Sequence, residues 1–125
     1  MTLAPPFLQV RRIDKPWGFE LVWAECEHYV GKILHIRAGE ALSYQFHRVK
    51  DETIFVLRGE LDFEWAPDPA SPPQRIRMRP GQSVRIRPGM CHRMIAVQET
   101  EVLEASTPHL QDVVRLVDRY GREGE

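Results

Sequence analysis

The sequence predicts an all-β fold, a sandwich or barrel of short strands. Two observations carry this expectation. Short alternations of apolar and polar residues recur along the chain, and turns containing Gly or Pro separate them at close intervals. A third observation agrees: helical spacing is confined to one stretch near the end, Asp112 to Tyr120.

Taken in order, Phe19 to Ala24 and Gly31 to Arg37 read as strands. Ala38-Gly39-Glu40 is a turn, Leu42 to His47 a further strand and Arg48 to Asp51 a polar loop. Thr53 to Leu57 is rich in β-branched and large apolar residues, and Arg58-Gly59-Glu60 closes it. Leu61 to Trp65 follows at once, so the two runs are expected to form a hairpin. Ala66 to Pro73 holds four of the ten prolines and reads as an exposed loop. Arg75 to Met78 and Val84 to Arg87 alternate apolar and basic residues, as half-buried strands do. His92 to Val97 and Glu101 to Ala105 complete the strands. Val113, Leu116, Val117 and Tyr120, three and four apart, predict a short C-terminal helix or tail.

Composition narrows the function classes. The 125 residues suit one domain, 1–125, with no internal linker or repeat. With 17 Lys+Arg against 18 Asp+Glu, the chain lacks the overall basic charge that binds nucleic acid or an anionic membrane. No apolar run reaches the roughly 20 residues of a membrane-spanning helix. Met1 to Val10 lacks the pattern of a secretory signal, so the expected location is cytoplasmic. Cys26 and Cys91 are too few for a disulfide framework and read as reduced thiols.

Two glycine-framed segments carry the chemistry. In the first, running from Gly39 to Gly59, Gln45 and His47 are two apart and share a strand face, and Glu52 follows across a short loop. The second, Gly81 to His92, supplies another imidazole. Two imidazoles, one carboxylate and one amide oxygen suit Mn, Fe, Co, Ni or Zn better than Ca or Mg. Four protein ligands leave positions open for water or substrate, as catalytic sites do.

These segments resemble the two motifs of the cupin superfamily. Gly39, His47, Glu52 and Gly59 fall at positions of the first, and Gly81, Gly89 and His92 at positions of the second. The chain departs from the pattern at Gln45, where most cupins carry histidine, at Arg87-Pro88, where the proline is one place late, and at Ala96 in place of asparagine. Leu42-Ser-Tyr-Gln45-Phe-His47, followed by Lys50 and Glu52, is similar to the cupin domain of type II mannose-6-phosphate isomerases, which usually have Arg at the Lys50 position. Lys15-Pro-Trp17-Gly18, Gly31-Lys32 and the tail motif from Asp112 to Arg122 extend the likeness over most of the chain.

The resemblance implies a cupin jelly-roll barrel with one divalent transition metal at Gln45, His47, Glu52 and His92. It further implies aldose–ketose isomerisation of a sugar phosphate through an enediolate. With Glu52 on the metal, the base is expected to be Lys50 or Lys32, the latter sharing a strand face with Leu34 and Ile36. Arg87, Arg115 and Arg122 are candidates to hold the phosphate. Arg75, Arg77, Arg79 and Arg85, alternating along two strands expected to be adjacent, read as a solvated face. Leu42, Tyr44 and Phe46, opposite Gln45 and His47, form an apolar stripe that predicts a homodimer. Two alternatives stay open: a sugar- or anion-binding module without turnover, and another metal-dependent cupin enzyme such as an oxygenase.

Overall fold

Strand alternation builds two antiparallel sheets in the computed structural model, which describes residues 4–124. The first sheet contains β1 (Arg11–Lys15), β2 (Gly18–Glu25), β3 (Val30–Ile36), β5 (Glu52–Arg58), β8 (Ser83–Ile86) and β10 (Thr100–Ser106). Their order is β1-β2-β3-β10-β5-β8. The second contains β4 (Tyr44–Phe46), β6 (Leu61–Ala66), β7 (Gln74–Met78), β9 (Cys91–Ala96) and β11 (Val114–Val117), in the order β11-β4-β9-β6-β7. The chain passes back and forth between the sheets, and the all-β jelly-roll expectation holds. Among the described residues no helix is long and apolar enough to cross a membrane.

The inward faces divide into two halves. One end holds an apolar core that includes Trp17, Leu34, Ile36, Ile54, Leu61, Phe63, Ile86 and Val102. The other holds buried polar side chains: Glu20, Lys32, His47, Lys50, Glu52, His92 and Glu104. Such groups are costly inside a barrel unless paired, so their gathering at one end marks the site.

Four sequence expectations are corrected here. The runs around Thr53–Leu57 and Leu61–Trp65 are strands, but they belong to different sheets and form no hairpin. Gly59 turns the chain from one sheet to the other at φ +87°, and a Cβ there would collide with the Glu99 carbonyl oxygen. Only glycine meets both demands. Likewise the arginine-bearing β7 and β8 lie at the edges of opposite sheets. Their arginines pair on the outside, Arg77 with Asp62 at 2.7 Å and Arg85 with Asp51 at 2.6 Å.

The predicted C-terminal helix is strand β11, paired with β4. Val114 and Val117 favour extended backbone, and the open edge of β4 supplies hydrogen-bond partners that an isolated short helix lacks. The stripe Leu42-Tyr44-Phe46 is broken because β4 begins only at Tyr44. Leu42 turns in against the core, leaving Tyr44 and Phe46 half-buried beside β11. An apolar row does exist on the outer face of the first sheet, where register aligns Leu21, Ile33, Leu103 and Phe55 across four strands. β1 went unread in the sequence because Arg-Arg-Ile-Asp-Lys has one apolar residue, too few to show alternation.

Candidate metal centre

Period-two geometry brings the donors together. Gln45 on β4 stands directly across from His92 on β9, His47 follows two residues later, and Glu52 opens β5 on the facing sheet. His47, Glu52 and His92 are all buried, and one donor atom from each lies within 4.8 Å of the others. Glu52 Oε1 is 3.2 Å from His92 Nε2 and 3.6 Å from His47 Nε2. Donors about 2.0–2.2 Å from one ion are separated by distances of this order.

The outward nitrogens are already engaged. His47 Nδ1 bonds to the backbone carbonyl of Asp112, and His92 Nδ1 to that of Met90 at 3.2 Å. A carbonyl partner requires N–H at Nδ1 in the neutral ring, so each Nε2 turns a lone pair toward the centre. His47 Nε2 is buried with no hydrogen-bond partner. An orphaned imidazole nitrogen facing a carboxylate and a second imidazole fits a divalent transition metal. Gln45 Oε1 accepts a hydrogen bond from Ser43 Oγ at 2.5 Å, which leaves its second lone pair free.

Behind the donors runs an ionic chain. Lys50 Nζ lies 2.9 Å from Glu52 Oε2 and 3.2 Å from Glu104 Oε2, and Lys32 Nζ lies 3.2 Å from Glu20 Oε1. Burial lowers the Lys50 pKa, but Glu104 and Glu52 outweigh it and hold the ammonium above its ordinary value. Burial acts against ionised Glu52 too, yet its charged neighbour Lys50 helps to hold it well below the carboxylate range. Glu104 is displaced upward, first by burial and then by the Glu52 charge.

The lysines therefore do not match the base role expected from sequence. Lys50 is held charged between two carboxylates, and Lys32 is tied to Glu20. Glu20 and Glu104 are the buried groups that sequence reasoning missed. The signal was present: each shares strand parity with inward valines, Glu20 with Val22 and Glu104 with Val102.

These groups line a cavity of about 640 Å³ that also takes in Arg115 and Arg122. Arg87 is elsewhere. β8 ends at Ile86, and Arg87 begins an exposed turn outside the cavity, so it does not join the other two arginines. Cys91, although next to His92, points to the opposite strand face and is a free buried thiol.

Asp112 fixes the loop between His47 and Glu52. Its carboxylate accepts backbone N–H bonds from Arg48 (3.1 Å), Val49 (2.7 Å) and Lys50 (2.9 Å). Burial pushes its pKa up, but these three donors prevail and bring it from 3.8 to about 2. A carboxyl depressed on folding contributes stability above pH 3.8, and that contribution is lost as pH falls toward 2. Asp112→Asn is expected to flatten the acid limb of stability against pH in this window, read by urea denaturation. An unchanged limb would remove Asp112 from this role.

The cupin domain family model matches residues 32–106, more than half of the chain. Among solved structures, CapF from Staphylococcus aureus, a capsular polysaccharide assembling protein, aligns at TM-score 0.67 and 12% identity, over 91% of this chain and 31% of its own. KdgF from Halomonas sp. aligns at TM-score 0.68 and 16% identity, over 79% and 88% respectively. Oxalate decarboxylase from Bacillus subtilis aligns at TM-score 0.73 and 12% identity, over 86% and 30%. The chain thus spans about a third of the first and last of these proteins. At such identities the likeness is one of fold. No curated protein matches the chain in sequence.

Proposed function

Since this chain belongs to the cupin domain family, we propose that it is a metal-dependent isomerase interconverting an aldose phosphate and a ketose phosphate, in the manner of mannose-6-phosphate isomerases. The observation that carries this reading is the orphaned His47 Nε2 beside Glu52 and His92, facing a cavity of about 640 Å³ rich in charged side chains. That volume suits one small polar substrate.

A divalent ion held by His47, Glu52, His92 and Gln45 would supply Lewis-acid polarisation of the substrate carbonyl. The chain's own groups do the rest. The Asp112 and Met90 carbonyls fix both imidazole orientations. Glu104 lines the cavity, and its raised pKa suits a carboxylate that takes a proton from one substrate carbon and returns it to the next. Lys50 bridges Glu52 and Glu104 and offsets part of the repulsion between the two carboxylates. Lys32 and Glu20 close the far side as a neutral pair.

The test is conversion of mannose 6-phosphate to fructose 6-phosphate by the metal-loaded full chain, with solvent deuterium entry at C2 followed by NMR. Glu104→Gln is expected to lower kcat by about 10²–10⁴ while keeping bound metal. Metal-loaded protein that neither converts the sugar nor exchanges its C2 proton would overturn the isomerase reading and favour a binding module.

A further inference from the structure

Two cations of the cavity lack an acidic partner. Lys32 pairs with Glu20, Lys50 with Glu52 and Glu104, Arg122 with Asp118 at 2.9 Å, and Arg11 with Glu25 at 2.6 Å. Lys15 and Arg115 line the same cavity, and among the described residues neither has a carboxylate within ion-pair distance. Arg115 Nε is buried with no hydrogen-bond partner.

The fold aims both side chains at one place. Lys15 ends β1 and Arg115 lies on β11, the edge strands of opposite sheets, so the pair straddles the gap between the sheet margins. The Arg115 backbone is fixed by two 2.8 Å hydrogen bonds exchanged with Gly124. Its place opposite Gln45, itself opposite His92, sets Arg115 one strand step from Gln45 and two from His92. At about 4.8 Å per step, that is the reach of one small acid or sugar phosphate.

Electrostatics agrees with the geometry. Half-burial lowers the Lys15 pKa, and Lys32, Arg122 and Arg115 add to the effect. Glu20 pulls the other way but is already bonded to Lys32. Among the described residues no carboxylate pairs directly with Lys15 or Arg115, whereas a bound anion would.

We propose that Lys15 and Arg115 form an oxyanion subsite that receives the phosphate or carboxylate group of the substrate while the metal centre engages its other end. The subsite rests on the isomerase reading only for the identity of that other end; anion binding itself needs no turnover. Lys15 thereby joins strand β1 to substrate recognition, and Arg115 contributes a planar fork that matches an oxyanion.

The test titrates metal-loaded full-length protein with inorganic phosphate and, in a second arm, with acetate, by calorimetry. Lys15→Met and Arg115→Gln are each expected to weaken the preferred anion about tenfold or more, with Arg75→Gln on the outer surface as a control of unchanged affinity. Stronger binding of phosphate assigns a phosphate ester, and stronger binding of acetate a carboxylic acid; either supports the subsite. Wild-type affinity in both cavity variants, with unaltered melting temperature, overturns it, even if the sugar phosphate is turned over. Loss of anion binding in both, without any turnover of mannose 6-phosphate, keeps the subsite and removes the isomerase.

Discussion

In His92→Ala, metal bound to protein purified without chelator is expected to fall from about one ion per chain to background, and the affinity for added Zn or Mn by at least a hundredfold. Loss of an outer hydrogen-bond partner alone costs about 10–100-fold, and His92 would be a direct ligand. Elemental analysis and competition with a chromogenic chelator measure both quantities. Gln45→Ala is expected to lose less, about tenfold, because its oxygen is shared with the Ser43 hydroxyl. Metal also binds the folded state alone, at about 2.7 kcal/mol when present at a hundred times Kd. Added metal should therefore raise the melting temperature of the wild type and leave His92→Ala unmoved. Undiminished metal content in His92→Ala would displace the site from these residues.

Lys50→Met is expected to cost about 3–5 kcal/mol of folding stability, against a typical total of about 5–15 kcal/mol. The variant leaves Glu52 and Glu104 buried with no cation between them. Lys50→Met/Glu104→Met should recover part of the loss, because the second substitution removes one of the stranded charges. Lys50→Arg keeps the charge and should retain most of the stability. The sign with pH follows from the raised lysine pKa. The pairing contributes fully below the unfolded value of 10.5 and is lost as pH rises beyond it, so Lys50→Met should flatten the alkaline limb. Urea denaturation across pH reads all four results. A Lys50→Met chain as stable as wild type would mean that the three buried charges do not depend on one another.

Most strands and the clustering of His47, Glu52 and His92 were legible in the sequence because they rest on short-range rules. Alternation fixes which residues of a strand face inward, and turn residues fix where strands stop. The spacing of His47 and Glu52 across one loop is local in the same sense. Lys32 was read inward for the same reason, from its parity with Leu34 and Ile36, and it is buried there. The tail was misread because Val113, Leu116, Val117 and Tyr120 satisfy helical spacing, while the choice was made by an open strand edge nearly seventy positions away in the chain.

The sequence by itself determined that this protein is an all-β cupin barrel whose glycine-framed segments gather His47, Glu52 and His92. Only the tertiary structure decided that the strands on either side of Gly59 part into different sheets. It alone decided that Lys50 is held between Glu52 and Glu104, that Arg87 stays outside while Arg115 enters, and that Lys15, from the other end of the chain, lines the same cavity. The physical reason is that strand pairing and charge pairing join residues distant in sequence. Periodicity states which face a side chain takes, and the packing of the two sheets states what stands opposite it.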